Sequence, residues 1–464
     1  MISVQSLRQL LSGNRYYLFL LIPLLISSCS VAKKATENKD VQIVNAGTKP
    51  TDNQVVNKKG SEPGLKIDTI KWSDTSSKNA PIRIIPQKNV EYRDGLDFKD
   101  QYNLTLLIPL NSNGSANPVD SRFVQFYAGF LRGLESLDDE GIKLNVKVID
   151  TEEGTEKISE HAGEILTPSM DLVIGPFDRD DVKVFADECK LKSIPMVSPW
   201  QTSTKITNEN PYYIQIKPNL KEHFLKLAEN TFSNYKKGEV AILGKNNKET
   251  VSWINFFQES IKTTYGVDQF FNSYFIDTDS LNLGLAVFDK LYKSKIQAVI
   301  LPNYSYNDED FLYSSLRRLT AERNGRHITV YGMPILYDSD KIEFDYYHSL
   351  NINVVMSDFV DQDFGTIREF RRNFLNMYGE IPTSEAIKAY DLILFLGRNL
   401  WKYGRNFQNY LENDEQTYLQ SIYEIKKAKS DDSPIADDPT KFDYFENKHL
   451  DIIEFKGNKW QKKN

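Results

Sequence analysis

Side chains that could carry out catalysis are few and scattered in this sequence. None of the five histidines has the spacing of a zinc-binding His-Glu-x-x-His motif. There is no Gly-x-Ser-x-Gly nucleophile elbow and no glycine-rich loop that could cradle phosphate. Asp358, Asp361 and Asp363 lack the glycine and the closing glutamate of a calcium loop, so a solvated acidic loop is predicted there. The pattern therefore predicts no catalytic site, no metal ion and no cofactor.

The other reactive side chains are two cysteines, Cys29 and Cys189. Cys29 follows the parts of a signal peptide, because residues 1–15 include arginines and no acid, and residues 16–28 are largely apolar. This apolar stretch is shorter than the roughly 20 residues that span a bilayer. Cleavage at Cys29 leaves Cys189 without a cysteine partner, and its place in a helical pattern predicts a small buried hydrophobic residue.

The residues Ile26-Ser27-Ser28-Cys29 resemble the lipobox of bacterial lipoproteins. The resemblance implies cleavage before Cys29, which ends a signal peptide of residues 1–28, followed by acylation of the cysteine sulfur and of the new amine. At roughly 0.8 kcal/mol per buried CH₂, two or more acyl chains anchor a protein stably in a membrane. By resemblance to the common sorting rule, Ser30 favours the outer membrane. We therefore expect a lipid-anchored envelope protein that faces the periplasm from the outer membrane; an ordinary secretory signal peptide is the alternative.

Residues 29–101 differ in composition from the rest of the chain. Lysine, asparagine, threonine, aspartate and serine dominate, and large aromatic residues are sparse. Such a stretch cannot bury enough apolar surface to offset the entropy cost of ordering. We expect a lipid-anchored flexible tether over 29–101, disordered at 30–64. The alternation of apolar and polar residues over Ile67–Trp72 is typical of a short docked strand.

Net charge restricts the possible partners. The chain has 57 lysines and arginines against 64 aspartates and glutamates, a net charge of −7. This balance argues against nucleic acid as a partner, because binding to phosphate requires a basic surface. The remaining candidates are a small polar ligand or an envelope protein, together with the membrane through the lipid anchor.

From Tyr102 onward, the patterns of strands and helices alternate. Leu104–Leu110 is a near-continuous apolar run, as in a buried parallel strand, and Ser121–Asp138 places its large apolar residues on one helical face. A second series of the same kind begins at Val240 and includes a helix predicted at Leu281–Tyr292. Alternation of this kind indicates parallel sheets covered by helices, and the break near Lys217–Asn219 indicates two lobes.

Several short motifs follow one another in this region. Asp171–Thr202 contains Asp-Leu-Val-Ile-Gly-Pro and, after a helical segment, Ser-Ile-Pro-Met-Val-Ser-Pro-Trp-Gln-Thr; Asn210–Ile214 and Phe370–Asp391 come later. In order and spacing these motifs resemble the type I periplasmic-binding-protein fold, especially the branched-chain amino-acid receptors. The resemblance covers roughly residues 102–460 and implies an α/β protein of two Rossmann-like lobes that cross over three times. We expect lobe I at 102–218 and 356–430, and lobe II at 219–355 and 431–464.

Ligands of parallel sheets bind beyond the carboxyl ends of the strands. The candidate ligand-binding residues follow predicted strands in this way: Asn111, Asp178, Arg179, Ser198, Thr202, Asn303 and Tyr304. By resemblance, Thr202 stands where the receptors hold the carboxylate of an amino acid. Asp178 and Arg179 replace small hydroxyl residues of the receptors; Asp178 would repel a carboxylate, and Arg179 would attract one. For each residue, an ordinary solvated loop is the alternative.

The sequence therefore predicts a non-enzymatic envelope lipoprotein that binds a small polar ligand between its lobes for transport or sensing. The ligand is expected to be amino-acid-like or derived from the cell wall. The alternative is a protein-interaction module, similar to outer-membrane lipoproteins of the same fold that regulate peptidoglycan synthesis. The long tether and Ser30 favour this alternative, whereas Thr202 favours the ligand-binding function.

Overall fold

A computed structural model describes residues 67–69, 98–111, 120–151, 158–267, 271–283, 286–413, 415–435, 438 and 440–463. All of these residues fall within one compact unit, Pro63–Asn464. The predicted signal peptide, the predicted acylation site Cys29 and most of the predicted tether lie outside the described residues. None of the helices in the described part of the chain has the length and apolarity that crossing a membrane requires.

Strands and helices alternate through most of the described chain. In chain order, the strands are β1 (Ile67–Thr69), β2 (Tyr102–Ile108), β3 (Leu144–Asp150), β4 (Leu172–Ile174), β5 (Met196–Ser198), β6 (Tyr213–Gln215), β7 (Val240–Lys245), β8 (Asn272–Ile276), β9 (Ala298–Leu301), β10 (Thr329–Gly332), β11 (Asn353–Met356), β12 (Gln416–Thr417), β13 (Ile422–Tyr423), β14 (Ile425–Ala428), β15 (Tyr444–Asn447), β16 (Asp451–Lys456) and β17 (Lys459–Lys462). The helices are α1 (Ser121–Asp139), α2 (Ala162–Ile165), α3 (Arg179–Lys192), α4 (Leu220–Asn234), α5 (Lys248–Tyr265), α6 (Thr278–Asn282), α7 (Asp289–Lys293), α8 (Glu309–Glu322), α9 (Ile335–Asp338), α10 (Phe344–Ser349), α11 (Gly365–Tyr378) and α12 (Ser384–Tyr403), with 3₁₀ helices at Ile158–His161, Tyr306–Asp308 and Phe407–Asn413.

The first sheet forms the core of lobe I. Its strand order is β1-β3-β2-β4-β5-β6-β15-β14, and the strands from β3 through β15 pair in parallel. The central strand β2 is buried along nearly its whole length, which explains its continuous apolar sequence. Helices α1 and α12 pack together on this lobe, and Gly129 allows their close approach because a Cβ there would overlap the carbonyl oxygen of Ala386.

The second sheet forms the core of lobe II. Its order is β17-β16-β11-β10-β9-β7-β8; the strands from β11 to β8 pair in parallel, and β16 and β17 are antiparallel. The strands β9 and β11 are buried at every residue, as expected for a sheet with helices on both faces. The predicted fold class, two lobes built on mostly parallel sheets, is therefore confirmed.

The predicted lobe boundaries need one correction. Residues 431–464 were expected in lobe II, yet β15 pairs in parallel with β6 and extends the first sheet. Phe445 of this strand packs into the core of lobe I, which accounts for its position. The chain changes sheets between β6 and β7, between β11 and β14, and between β15 and β16. These connections are named here the first, second and third crossings.

Two local expectations have different outcomes. A docked strand was predicted at Ile67–Trp72, and the backbone of β1 does pair with the edge strand β3 in antiparallel orientation. The single helix predicted at Leu281–Tyr292 is wrong, because the short helices α6 and α7 occupy this region. The carboxylate of Glu322 accepts hydrogen bonds from the N–H groups of Val287 and Phe288, just before α7 begins. These two N–H groups therefore bond to a distant side chain and not to carbonyl groups of a continuous helix.

Candidate ligand-binding cleft

A cleft of ≈ 860 Å³ lies between the two lobes. Lobe I contributes Arg179, the segment 202–205 and Asp431, and lobe II contributes the start of α5 and the loops that follow β9 and β10. The first crossing and the start of α4 line the cleft between them. Because parallel strands point their carboxyl ends to the same side of a sheet, the loops of each lobe meet there.

The wall from lobe I consists of hydroxyl and charged side chains. Arg179 is the first residue of α3, and its Nη2 donates a hydrogen bond to Ser203 Oγ at 3.3 Å. Thr204 Oγ1 donates to Asp431 Oδ2 at 2.7 Å, which ties the loop after β5 to the segment after β14. Thr202 is exposed in this wall, so its hydroxyl group is accessible to a ligand.

The wall from lobe II is aromatic and acidic. The rings of Trp253 and Tyr304 make an edge-to-face contact with 5.0 Å between their centroids. Tyr306 also lines this wall, and partial desolvation by the neighbouring protein raises the pKa of both tyrosines, whose side chains stay accessible to a ligand. Glu249, in the first turn of α5, places a carboxylate at the rim of the same wall. Such a wall can hold apolar groups of a ligand and hydrogen-bond its polar groups.

The floor of the cleft carries two titratable side chains, His223 and Asp338, that no sequence pattern indicated. His223 is buried, its Nδ1 lies 2.9 Å from the carbonyl oxygen of Asn219, and burial lowers the pKa of its ring. Asp338 is the last residue of α9 and lines the cleft. Desolvation by the surrounding protein raises the pKa of Asp338, and repulsion from Asp358 raises it further.

A charged cluster lies close to the floor, where the chain returns from lobe II to lobe I. Lys388, on α12, contacts the carboxylate of Asp358 and lies 2.8 Å from Glu385 Oε1. Burial alone would raise the pKa of Asp358, but Lys388 and Lys217 outweigh this effect and hold the pKa well below its usual range. The solvated acidic loop predicted from Asp358 is therefore wrong at this residue, whose side chain is only 20% exposed.

The structure brings three of the seven predicted ligand-binding residues into the cleft lining, namely Arg179, Thr202 and Tyr304. Their roles toward a ligand stay predictions. The other four are not among the described residues that line the cleft.

Each of those four has a structural role or place of its own. Asp178 caps α3 by accepting hydrogen bonds from the N–H groups of Asp180 and Asp181. Ser198 is buried at the end of β5, and Asn303 is buried and donates to Asp308. The N–H of Asn111 donates to the carboxylate of Asp150. Sequence position alone could not separate residues that follow a strand and face the cleft from those that follow a strand and turn inward.

Glu249, Trp253, His223 and Asp338 were missed because they lie on helices. A signal existed for Glu249, since Asn247 is the N-cap of a helix that follows directly after β7 and Glu249 lies in its first turn. Residues in the first turn of such a helix lie at the carboxyl edge of the sheet and can reach the cleft.

No protein-family model and no curated protein sequence matches the chain. Solved structures do match. One is a branched-chain amino acid ABC transporter periplasmic ligand-binding protein from Burkholderia xenovorans, with a TM-score of 0.53 and 13% identity over 78% of this chain and 95% of that one. An ABC transporter substrate-binding protein from Desulfitobacterium hafniense matches with a TM-score of 0.52 and 14% identity over 78% of this chain and all of that one.

A third similar structure is LpoA of Haemophilus influenzae, with a TM-score of 0.51 and 12% identity. The match covers 80% of this chain but 60% of LpoA. Likeness at this level of identity shows a shared fold. The chain thus has the fold of type I periplasmic binding proteins, as the sequence motifs predicted.

Proposed function

We propose that the chain is a non-enzymatic envelope protein that binds a small polar ligand between its two lobes. The observation that carries this proposal is the distribution of charge in the cleft. Lobe I contributes the cations Arg179 and Lys205 against one carboxylate, Asp431, whereas lobe II contributes the carboxylates Glu249 and Asp338. A ligand with separate acidic and basic groups, such as an amino acid or a peptide derived from the cell wall, matches this arrangement.

The size and position of the cleft support the same function. Its volume of ≈ 860 Å³ lies in the range of roughly 300–1,000 Å³ that is typical of small-molecule sites. A ligand that contacts both walls at once favours closure of the lobes about the crossings, because it interacts more strongly with the closed arrangement. Closure of this kind would let a transporter or a sensor recognise the loaded state.

A ligand screen tests the proposal. Amino acids, muropeptides and sugars are added to the chain, and thermal unfolding is recorded. A ligand at a hundred times its dissociation constant should stabilise the protein by about 2.7 kcal/mol. Arg179→Ala and Asp338→Asn should weaken that effect. Asp340→Asn, at an exposed position two residues beyond Asp338, is the matched control and should not. The proposal fails if none of the compounds shifts the transition.

We also propose that acylation of Cys29 anchors the chain to the periplasmic face of the outer membrane. Cys29→Ser should move the protein from the membrane fraction to the water-soluble fraction and abolish incorporation of labelled palmitate. Cys189→Ala is the control, because Cys189 is buried and cannot be acylated in the folded protein. Retention of the Cys29→Ser variant in washed membranes would contradict lipid anchoring.

The second candidate function is a protein-interaction module, such as a regulator of peptidoglycan synthesis. Exposed apolar side chains at the end of α11 favour it: Leu375, Met377 and Ile381 are 43%, 50% and 56% exposed. The neighbouring Tyr378 donates a hydrogen bond to the carbonyl oxygen of Ala128 on α1, so this segment is held on the surface of lobe I. Exposed apolar groups in proximity often mark contacts with other proteins.

Photo-crosslinking separates the two functions. A photoreactive residue at Ile381 should crosslink in living cells to one defined envelope protein if the interaction module is correct. The same residue at Leu191, which is exposed on α3, is the matched control and should give no such product. Equal products from both positions, or none from either, would argue against a partner at the end of α11.

A further inference from the structure

Three potential metal ligands come together beside the third crossing. Glu415 directly precedes β12, Glu424 lies between β13 and β14, and His449 lies between β15 and β16. One ligand atom from each lies within 4.8 Å of the others. His449 Nδ1 is 3.9 Å from Glu415 Oε2. In a tetrahedral zinc site, bonds of about 2.1 Å place ligand atoms about 3.4 Å apart, so small rotations of the glutamate side chains are enough to reach that geometry.

The other ring nitrogen of His449 has the environment of an oriented metal ligand. Its Nε2 is buried, makes no hydrogen bond within the described structure, and lies 3.4 Å from Asp451 Oδ1. Lys462 holds the second oxygen of Asp451 at 2.7 Å, so this carboxylate is fixed in place. A histidine that binds a metal through one nitrogen commonly presents the other to a carboxylate, which orients the ring and selects its tautomer.

We propose that Glu415, Glu424 and His449 bind one divalent transition-metal ion, with zinc as the best match. His449 Nδ1 and one oxygen from each glutamate are the ligands, and Asp451 orients the imidazole. A nitrogen donor combined with carboxylates suits zinc and its neighbours, whereas calcium and magnesium prefer oxygen ligands alone. Three protein ligands leave a fourth position for water. This site is separate from the interlobe cleft and does not depend on the function proposed for it.

The local charges are compatible with a bound cation. The carboxylates of Glu415, Glu424 and Asp451 surround His449, while Lys426 lies 3.9 Å from Glu424 and Lys462 pairs with Asp451. Carboxylates therefore outnumber the lysines that contact them. A divalent cation would compensate this excess.

A bound ion would tie the third crossing to lobe I. Glu415 and Glu424 lie among elements of lobe I, and His449 belongs to the connection that leaves it. Asn447 already links these segments, because its side-chain oxygen accepts hydrogen bonds from the N–H groups of Glu424 and His449. The ion would add a second, stronger link at the same place and so restrict this crossing.

Isothermal titration of the full-length chain, without a histidine tag, with zinc chloride tests the proposal. We expect one zinc ion per chain and no comparable binding of calcium or magnesium. His449→Ala should remove the site, and Asp451→Asn should weaken it by about 10–100-fold. The matched control is His161→Ala, since His161 Nδ1 lies 3.7 Å from Glu164 but belongs to no described three-ligand group. Its affinity for zinc should equal that of the wild type.

The proposal is overturned if the wild type binds no stoichiometric zinc, or if His449→Ala binds it unchanged. Circular dichroism shows whether each variant is folded. If His449→Ala does not fold, Glu415→Gln decides the matter, because Glu415 is exposed and its replacement leaves the core intact. A folded Glu415→Gln protein that has lost most of its zinc affinity supports the site, and one with wild-type affinity overturns it. Neither outcome bears on ligand binding in the cleft.

Discussion

A lysine near the floor of the cleft is paired with one carboxylate that is far away in the sequence and with another on its own helix. Lys388 is shared between Asp358, at the end of the strands of lobe II, and Glu385, on its own helix. Burial by itself would lower the pKa of Lys388, but the two carboxylates outweigh it and raise the pKa, so the lysine stays charged. The second crossing is thus held at its start by an ion pair with little contact to water.

Removal of one partner of this pair should be costly. Lys388→Met removes the main counter-charge of the largely buried carboxylate of Asp358 and leaves Lys217 as the remaining one, so we expect a loss of up to about 3–5 kcal/mol in the free energy of unfolding. Urea denaturation measures it. The control is Lys341→Met, because Lys341 pairs with Glu309 and Asp310 at the surface and its loss should have no measurable effect. Equal stability of both variants would show that the buried pair contributes nothing.

His223 should make stability depend on pH. Burial lowers the pKa of His223 in the folded protein, despite the favourable field of Asp358 and Glu222, and Lys217 lowers it further. As pH falls below about 6.5, the unfolded chain binds a proton that the folded chain refuses. Stability should therefore fall toward acidic pH, with a slope of at most about 1.4 kcal/mol per unit from this group.

Denaturation of the wild type and of His223→Gln between pH 7.5 and 5.5 separates this contribution from those of other groups. The variant should lose less stability than the wild type over this interval. His161→Gln, at a less buried histidine beside Glu164, serves as the control. Parallel curves for the wild type and His223→Gln would contradict the assignment.

At the scale of elements, the contact of α1 with α12 determines the packing of lobe I. Gly129 and Gly133 of α1 face Ala386, Tyr390 and Ile393 of α12 at distances too short for a side chain. The two helices therefore approach more closely than helices with larger residues could. Glycine within a helix is less stable than alanine, so its presence at these two positions is explained by the close packing of the helices and not by helix propensity.

Gly129→Ala should destabilise lobe I. The added methyl group would overlap the carbonyl oxygen of Ala386, and overpacking of this kind costs about 1–3 kcal/mol. Gly163→Ala is the matched control, because a Cβ at this helical position meets no atom within 4 Å and the substitution should be neutral or slightly stabilising. Thermal unfolding of both variants gives the comparison, and equal transitions would refute the packing argument.

At the scale of the whole molecule, the crossings are bound to one another as well as to the lobes. The carboxylate of Glu446, on β15, accepts hydrogen bonds from the N–H and the side-chain amide of Asn219 in the first crossing, at 2.6 and 3.0 Å. Lys448, in the third crossing, lies 2.6 Å from Glu446 and 2.7 Å from Glu222. We therefore expect the first and third crossings to move as one unit in any rotation of the lobes.

Glu446→Gln should loosen this connection. Burial raises the pKa of Glu446, and Lys448 opposes that effect. Removal of the Glu446 charge would leave Glu222 as the carboxylate that pairs with Lys448. We expect faster hydrogen exchange at Asn219 and at the neighbouring residues of the first crossing. Glu229→Gln, at an exposed pair with Lys226, should leave exchange unchanged. Unaltered protection at Asn219 in the Glu446→Gln protein would show that the crossings are independent.

The sequence by itself determined most of the order of the elements, the presence of two α/β lobes and the resemblance to the type I periplasmic-binding-protein fold. It could do so because apolar periodicity and turn residues are local properties. Arg179, Thr202 and Tyr304, which line the cleft, were candidates for the same reason, since each follows the end of a strand; their roles toward a ligand stay predictions. The tertiary structure alone decided that β15 joins the first sheet, that Lys388 pairs with Asp358 and that His449 meets Glu415 and Glu424. These contacts join residues that are distant in the chain, and only packing of the helices and sheets brings such residues together.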